Sequence, residues 1–228
     1  MNGGKIVFID ISFLPESRVT HVIVDKNSPD EFLANLEKLR ITYFLSGEVG
    51  AMPSVATHPD MQIFNLGGNK IVCEPSVHKY FQEYLSPLGF NVICGRTLVS
   101  GNYPYDIAYN IARVGGLAIH KTSHTDTEIL SLLKEFNVGI INVSQGYTKC
   151  AIAIISQKAV ITADNGIAKA LSKADIDVLL IKAGSITLKG MEYGFIGGTC
   201  GLIAKNLLAF CGNRSEEHTS ELQSPNTI

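Results

Sequence analysis

Tryptophan is absent from this chain of 228 residues, and charged residues make up only 18% against 46% apolar residues. The longest apolar run, residues 150–155, is far shorter than the roughly 20 residues that a membrane span requires. The N-terminal stretch carries Asp10 among its apolar residues and has no cleavage site of small residues, so it does not resemble a signal peptide. We therefore expect a globular protein of the cytoplasm that has no membrane segment.

Paired metal-binding cysteines are also absent. The five cysteines are odd in number and include no Cys-x-x-Cys pair, which argues against a disulfide framework and against a zinc site. The formal charge is -2, and no basic cluster is present to bind phosphates. We therefore expect a reducing compartment, no bound metal and no nucleic-acid partner.

The sequence does contain a repeat. Short runs of Val, Ile, Leu and Phe alternate with amphipathic helices in a fixed order of strand, strand, helix, strand. In the fourth copy the predicted strands are residues 145–155, 159–164 and 178–181, and the predicted helix is 167–174. Copies one and three begin with predicted strands at 5–10 and 106–110. The modules cover about 1–46, 60–95, 105–144, 145–183 and 193–213, the last without a helix or a third strand.

A module of this size cannot bury its own apolar face, so a core forms only where neighbouring modules meet. An open row of modules needs polar capping modules at its ends, and this sequence has none. Five modules are enough to close a ring. We therefore predict one α/β domain over residues 1–213, a fivefold pseudo-symmetric propeller of strand-strand-helix-strand modules whose fifth module is truncated.

The last residues differ in character from the rest. Residues 214–224 are polar and have no hydrophobic period. They match, codon for codon, the translation of a common short-read sequencing adapter. We therefore predict that residues 214–228 are a non-native disordered tail and that the natural gene continues differently after Asn213.

Five modules of this kind resemble the pentein fold. That fold is the fivefold α/β propeller of amidinotransferases, arginine and agmatine deiminases, dimethylarginine hydrolases and a ribosome anti-association factor. The resemblance extends over residues 1–213. The segments 145–150 (Gln-Gly-Tyr-Thr-Lys-Cys), 161–164 (Ile-Thr-Ala-Asp) and 194–198 (Gly-Phe-Ile-Gly-Gly) resemble a bacterial pentein-like branch without an assigned activity.

The resemblance implies a chemistry and a set of residues. In catalytic penteins a cysteine thiolate attacks a guanidinium carbon, a histidine transfers protons, and carboxylates hold the cationic substrate, without a cofactor. The thiolate must be stabilised near a base, because a free thiol is mostly protonated at neutral pH. The order Asp106, His120, Cys150 is similar to the end of a dimethylarginine hydrolase, which implies Cys150 as the nucleophile and His120 as a catalytic residue.

The sequence departs from the pentein pattern in two respects. The catalytic cysteine of penteins lies in the last module, whereas here a further module with Cys200 follows Cys150. Cys200 is predicted in the equivalent register of its own first strand, so either cysteine is a candidate nucleophile. No module carries a histidine on its first strand, where penteins have one. Gln145 lies near that place, and His120 lies at the end of a second strand.

Each candidate residue has a structural alternative. Either cysteine could be a small core residue. Asp106, Asn110, Gln145 and Asp164 are candidates for holding a substrate, but Asp and Asn near strand edges often cap helices or fix turns. Asp164 precedes a predicted helix, which favours a cap. Asp106 has no helix behind it, which favours a ligand.

Two functions remain open from the sequence. One is a cysteine-dependent hydrolase or transferase that acts on a guanidino group of a small cationic metabolite. The other is a non-catalytic pentein that binds a small metabolite or a protein partner. Fold alone does not decide between them. Substrate, oligomeric state and the native C-terminus are not encoded in recognisable patterns.

Overall fold

A computed structural model describes residues 6–188 and 190–212. Its first module contains strand β1, helix α1 and strand β2, and the two strands pair in parallel across the helix. The bounds are β1 His21–Val24, α1 Asp30–Lys38 and β2 Thr42–Leu45. Residues 6–10, predicted as the first strand of this module, are not a strand. They lie against the second module instead, where Gly68 N–H donates to Ile9 O at 2.9 Å and Phe8 packs edge-on against Phe90.

The next three modules share one plan. Each has an antiparallel hairpin, then a helix, then a third strand that runs parallel to the second. The second module comprises α2 Pro59–Gln62, β3 Ile63–Gly67, β4 Lys70–Cys73, α3 Pro75–Leu85 and β5 Asn91–Cys94. The third comprises β6 Ala112–Val114, β7 Leu117–His120, α4 Thr127–Glu135 and β8 Gly139–Asn142. The fourth comprises α5 Thr148–Ala151, β9 Ile152–Ser156, β10 Ala159–Thr162, α6 Asn165–Ser172 and β11 Asp177–Leu180.

A last hairpin, β12 Cys200–Ala204 with β13 Leu207–Phe210, follows a short 3-10 turn at Ile196–Gly198. The described residues thus form five small sheets of two or three strands. The fold class is α/β, as predicted. No helix within the described ranges is both long and apolar enough to cross a membrane. The tail predicted at 214–228 lies outside the described residues.

Neighbouring sheets touch through named contacts. Gln62 in the second module exchanges hydrogen bonds of 2.9 Å with the backbone of Gly47, and Arg113 in the third donates to Leu66 O. Ala112 and Val114 of the third module share a core cluster with Ile152 and Ile154 of the fourth. Strands β9 and β12 bring the fourth and fifth modules together.

The fifth module also touches the first. Ile203 packs against the small core of Val24, Leu36 and Ile41, and Val19 N–H donates to Ile203 O at 2.8 Å. Among the described residues, two core clusters draw members from neighbouring modules, and the core of the first module is joined by Ile203 of the fifth. The largest of these joins the second and third modules and includes Tyr147 and Cys150 from the fourth.

Two predicted first strands begin later than expected. Residues 106–110 form a turn before β6, since Asp106 and Asn110 direct their side chains into hydrogen bonds in the interior. Residues 148–151 form the single helical turn α5 before β9. Cys150 therefore lies on a helical turn, not on a strand as predicted.

Candidate functional site

Cys150 is held at the start of its module by Asn110, a residue that is fully buried. Asn110 Oδ1 accepts hydrogen bonds from the backbone N–H groups of Lys149 at 2.9 Å and Cys150 at 3.2 Å. Because Oδ1 faces these two donors, the amide nitrogen Nδ2 points to the sulfur, 3.0 Å from Cys150 Sγ. One amide thus fixes both the backbone and the thiol of Cys150.

A carboxylate and an ammonium lie beside the thiol. Asp60 Oδ2 is 3.9 Å from Cys150 Sγ and 3.6 Å from Lys149 Nζ. Lys149 also donates to Gly197 O at 3.2 Å, and its Nζ lies 4.9 Å from the centre of the Phe13 ring. Asp60 and Lys149 precede β3 and β9 by the same three residues, so equivalent turns of two modules supply the pair.

A histidine and a second carboxylate lie next to this group. His58 precedes α2, and its Nε2 is 3.6 Å from Asp25 Oδ2. Thr57 Oγ1 donates to the same carboxylate oxygen at 3.0 Å, which fixes Asp25 behind the imidazole. The side chains of His58 and Asp25 keep 27% and 24% of their surface exposed, so solvent and small molecules reach both.

Cys150 and His58 line one cavity of about 140 Å3. Tyr147, three residues before Cys150 in the chain, forms part of the same wall. Gly198 also lines the cavity, and a Cβ built on it would lie 4.0 Å from Cys150 Cβ, so the two residues are neighbours in this wall. The other residues of the wall are mostly apolar: Val55, Ile186, Thr187, Leu188, Met191, Gly194, Phe195 and Thr199.

The thiol is kept protonated in the resting protein. Burial, and to a smaller extent the nearby Asp60 carboxylate, raise the pKa of Cys150 to about 12. The Asn110 N–H and the Lys149 ammonium act in the opposite direction, because both stabilise a negative sulfur. A positive ligand placed next to Asp60 and the sulfur would favour the thiolate for the same reason.

His120, predicted as a catalytic residue, lies elsewhere. It is 1% exposed, and its Nδ1 shares a hydrogen bond of 2.6 Å with Thr125 Oγ1. Burial lowers the pKa of His120 to about 4, although the carbonyls of Gly146 and Ile107 favour its protonated form. Within the part of the chain that the structure describes, His120 makes no hydrogen bond to either candidate cysteine.

Asp106 lies directly behind the cavity wall. It is fully buried, and its Oδ2 accepts a hydrogen bond of 2.7 Å from the Tyr147 hydroxyl. Its Oδ1 has no hydrogen-bond partner among the described residues. Burial raises the pKa of the Asp106 carboxyl, while the bond from Tyr147 lowers it. Its predicted role in binding a cation stays a prediction.

Gln145 and Asp164 form a structural pair near the same wall. Gln145 Nε2 donates to Asp164 Oδ2 at 3.3 Å, and Gln145 Oε1 accepts from Tyr147 N–H at 3.0 Å. Asp164 Oδ1 accepts from Ile167 N–H at 2.8 Å and so caps α6. This cap is the role that the sequence favoured for Asp164.

Cys200 does not occupy the register of Cys150. It is the first residue of β12, whereas Cys150 lies two residues before β9, so the place equivalent to Cys150 is taken by Gly198. The sequence prediction of equal registers is therefore wrong. Cys200 Sγ donates to Ile196 O at 3.2 Å, and burial raises its pKa to about 11. It does not line the cavity with Cys150.

Sequence reasoning missed His58, Asp60 and Asp25. The prediction looked for a histidine on a first strand, whereas His58 stands five residues before β3, as Tyr147 stands five before β9. The segment His58-Pro59-Asp60 before a predicted strand could have been found by aligning the modules on their hairpins. Among the described residues, no group of three His, Cys, Asp or Glu side chains could hold a metal ion.

The sequence between residues 23 and 223 matches a family described as a family of unknown function, DUF6873. The chain belongs to this family. The matched range includes most of the segment 214–224 that we predict to be non-native, and that point stays a prediction. No curated protein matches the sequence.

The DUF6873 chain is similar in fold to solved penteins, which confirms the resemblance seen in its sequence. SxtG, an amidinotransferase from Microseira wollei in the saxitoxin biosynthetic pathway, is 12% identical with a TM-score of 0.55, over 87% of this chain and 84% of SxtG. DDAH from Pseudomonas aeruginosa is 9% identical with a TM-score of 0.53, over 84% of this chain and 83% of DDAH. At such identities the likeness shows the fold alone.

Proposed function

We propose that this protein is a cysteine-dependent hydrolase or transferase that acts on the guanidino group of a small cationic metabolite. One observation carries the proposal: Cys150 and His58 line the same cavity, and the Asp60 carboxylate lies 3.9 Å from Cys150 Sγ. A nucleophile, a proton carrier and a cation-binding group are thus assembled from two modules. The solved penteins of similar fold include an amidinotransferase, which supports this reaction class.

In this proposal the substrate activates its own nucleophile. A guanidinium bound to Asp60 lies within a few ångströms of the sulfur, and a positive charge at that distance lowers the pKa of a thiol. The Asn110 N–H and Lys149 already favour a negative sulfur. The thiol therefore stays protonated and unreactive until a cation arrives.

The reaction then proceeds in balanced steps. The Cys150 proton passes to His58, and the thiolate forms a bond to the guanidinium carbon. The C–N bond to one nitrogen breaks, and that nitrogen leaves as ammonia or an amine with the proton from His58. The remaining carbon is bound to sulfur as a thiouronium. Water or an acceptor amine then attacks this carbon, forms a C–O or C–N bond and breaks the C–S bond. A proton of the attacking group passes through His58 to the sulfur and restores the thiol. The product is a urea, with release of one further proton, or a new guanidinium.

His58 is suited to proton transfer by its partner. Asp25 Oδ2 lies 3.6 Å from Nε2, so this carboxylate orients the ring that would receive the thiol proton. Asn110 acts on the nucleophile as a positioning residue, because it fixes both the sulfur and the backbone of Cys150. Both residues would serve hydrolysis and transfer equally.

We further propose that the five modules are arranged as a ring, the finer part of the fold prediction. The contacts of Ile203 with the first module support this arrangement, since they join the last described sheet to the first. A central site between modules is consistent with it, because Asp60 and Cys150 come from turns that precede equivalent hairpins. We place the protein in the cytoplasm, where its free thiols would persist.

A non-catalytic binding protein is the second candidate. The mostly apolar cavity wall and the raised pKa of Cys150 favour it, because a protonated thiol without an incoming cation is a poor nucleophile. In that case the same Asp60 and cavity would bind a small cation without converting it.

Two measurements distinguish an enzyme from a binding protein: turnover of a guanidino compound and formation of a covalent adduct on the protein. The folded protein is incubated with guanidino compounds while ammonia and amine release are followed, and the intact protein is weighed for an amidino adduct. We expect turnover, with the adduct on Cys150. Cys150→Ala should lower the rate by several orders of magnitude, and the matched variant Cys200→Ala should not. Binding without turnover or adduct, or full activity of Cys150→Ala, would establish the binding function instead.

A further inference from the structure

The segment that precedes the first strand contains a residue with a strained backbone. Phe13 has a φ of 65°, in the left-handed region that bulky residues rarely adopt. The chain around it is fixed by hydrogen bonds. Leu14 N–H donates to Ile11 O at 3.0 Å, and the Ser12 hydroxyl donates to Asn65 O at 2.6 Å. Strained residues of this kind are found most often where the side chain has a function.

The ring of Phe13 contacts both a core cluster and a charged group. It packs against the cluster that the third and fourth modules share, and so does Leu14. The Lys149 ammonium lies over the same ring, with Nζ 4.9 Å from its centre. An aromatic face attracts a cation at this distance, and the attraction is stronger where water is excluded.

The Lys149 ammonium has little access to water and three neighbours. Its side chain is 12% exposed, and besides the ring it contacts the Asp60 carboxylate at 3.6 Å and Gly197 O at 3.2 Å. Burial lowers the pKa of Lys149, but the Asp60 carboxylate and two cysteine thiols raise it, and the rise prevails. Lys149 is therefore charged. Burial raises the pKa of these two thiols, Cys150 and Cys200, and the ammonium opposes that rise.

We infer that Phe13 is a positioning residue of the Cys150 site, whose ring holds the Lys149 ammonium where it stabilises a negative sulfur. This role explains an aromatic residue at a position where glycine would adopt the backbone conformation without strain. Without the ring, the long lysine side chain is less constrained, so its charge acts less on the sulfur. The inference rests on the proposed function for the use of the thiolate.

Alkylation of the folded full-length chain by chloroacetamide, a neutral reagent, tests this inference. Below the pKa of a thiol the rate is proportional to the thiolate fraction, so a less well placed positive charge slows the reaction. Each modified cysteine is located by peptide mass, with the exposed Cys94 as the reference. We expect Phe13→Leu to slow Cys150 at least about threefold and to slow Cys200 as well. Phe13→Tyr retains the aromatic face and should retain the wild-type rate.

The direction of the change distinguishes positioning of a charge from simple packing. A variant that only loosens the core opens the structure locally, so its buried thiols react faster. Leu14→Ala, a truncation in the same cluster, is the control and should not slow Cys150. Phe13→Gly removes the ring and suits the left-handed backbone, so it replaces Phe13→Leu in the test if that variant does not fold.

A double-mutant cycle tests whether the ring acts through the ammonium. Lys149→Met should slow Cys150 by itself, and adding Phe13→Leu to Lys149→Met should slow it no further. An unchanged or faster reaction of Cys150 in Phe13→Leu would overturn the inference. Equal slowing by Phe13→Leu with and without Lys149 would overturn it too.

Turnover of guanidino compounds by the wild type reports separately on the proposed function. If the labelling results hold but no compound is converted, Phe13 positions Lys149 in a binding site and the enzymatic step is wrong. If a compound is converted and Phe13→Leu is labelled at the wild-type rate, the proposed function stands and the role of Phe13 is wrong.

Discussion

At the scale of single residues, burial sets the chemistry of the two titratable groups that matter most. Cys150 and His120 are both buried, and in each case burial disfavours the charged form. For Cys150 the charged form is the thiolate, which has Asn110 and Lys149 to support it. For His120 it is the imidazolium, whose Nδ1 is engaged with Thr125. Cys150 therefore has neighbours that can stabilise its thiolate, whereas the surroundings of His120 keep its ring neutral.

His120 predicts an acid sensitivity of the fold. Its pKa is about 4 in the folded chain against 6.5 for a free histidine, so the unfolded chain binds the extra proton between these values. Stability therefore falls as pH decreases from 6.5 to 4. At pH 4.5 the loss from this residue is about 2 to 3 kcal/mol. Urea unfolding of the wild type and of His120→Gln at pH 7 and 4.5 measures it.

We expect His120→Gln to lose less stability between these two pH values than the wild type. His124→Gln, a change of the neighbouring histidine, retains His120 and should keep the wild-type acid sensitivity. An identical pH dependence in wild type and His120→Gln would contradict the burial argument.

At the scale of elements, one residue joins two modules. Asp126 Oδ1 accepts from Glu128 and Ile129 N–H and so caps α4. Its Oδ2 accepts from the N–H groups of Arg96 and Thr97, at 2.8 and 2.7 Å, in the segment that follows β5 of the second module. Asp126 thus caps α4 and also links the third module to the second.

Asp126→Ala should therefore lower the free energy of unfolding by more than the loss of an ordinary helix cap does. Loss of a cap costs about 1 kcal/mol, and each donor left without a partner adds about 1 kcal/mol or more, so we expect about 2 to 4 kcal/mol in all. The matched variant Asp164→Ala removes a cap that serves only its own module and should cost about 1 kcal/mol. Chemical denaturation of both variants measures this difference in the free energy of unfolding. Equal losses would contradict the role of Asp126 in linking the second and third modules.

The predicted elements show where sequence reasoning works. Helices such as α4 and the hairpin β9–β10 follow from hydrophobic period and caps, since those patterns are local. The first strands of the third and fourth modules were placed too early, so that they included Asp106, Asn110 and Cys150. Their side chains instead bond across to other modules, which no local pattern reveals.

At the scale of the whole molecule, the site arises from the repeat. The turn before β3 supplies His58 and Asp60, and the equivalent turn before β9 supplies Lys149 and Cys150. The sequence proposed Cys150 as a nucleophile, His120 as a catalytic residue and Asp106 and Asn110 as substrate-binding residues, and these roles stay predictions. Candidates were sought near Cys150 in the chain, whereas the groups that reach its cavity lie about two modules away.

The central claim is that Cys150 and Asp60 form a receptor for a guanidinium, and charge-selective alkylation tests it most directly. Chloroacetamidine is a cation, and chloroacetamide is its neutral counterpart. Labelling is timed at pH 7.5, with the modified cysteines located by peptide mass and Cys200 as the internal reference. The ratio of the chloroacetamidine rate to the chloroacetamide rate is compared between wild type and Asp60→Asn. A single rate would not suffice, because Asp60→Asn also removes a negative charge that raises the pKa of the thiol and so affects both reagents.

We predict that wild-type Cys150 reacts at least about tenfold faster with chloroacetamidine than with chloroacetamide, since one ion pair near a partly buried site is worth about that factor. Asp60→Asn should reduce this ratio to that of Cys200. A ratio near that of Cys200 in the wild type, or one that Asp60→Asn leaves unchanged, would contradict the claim.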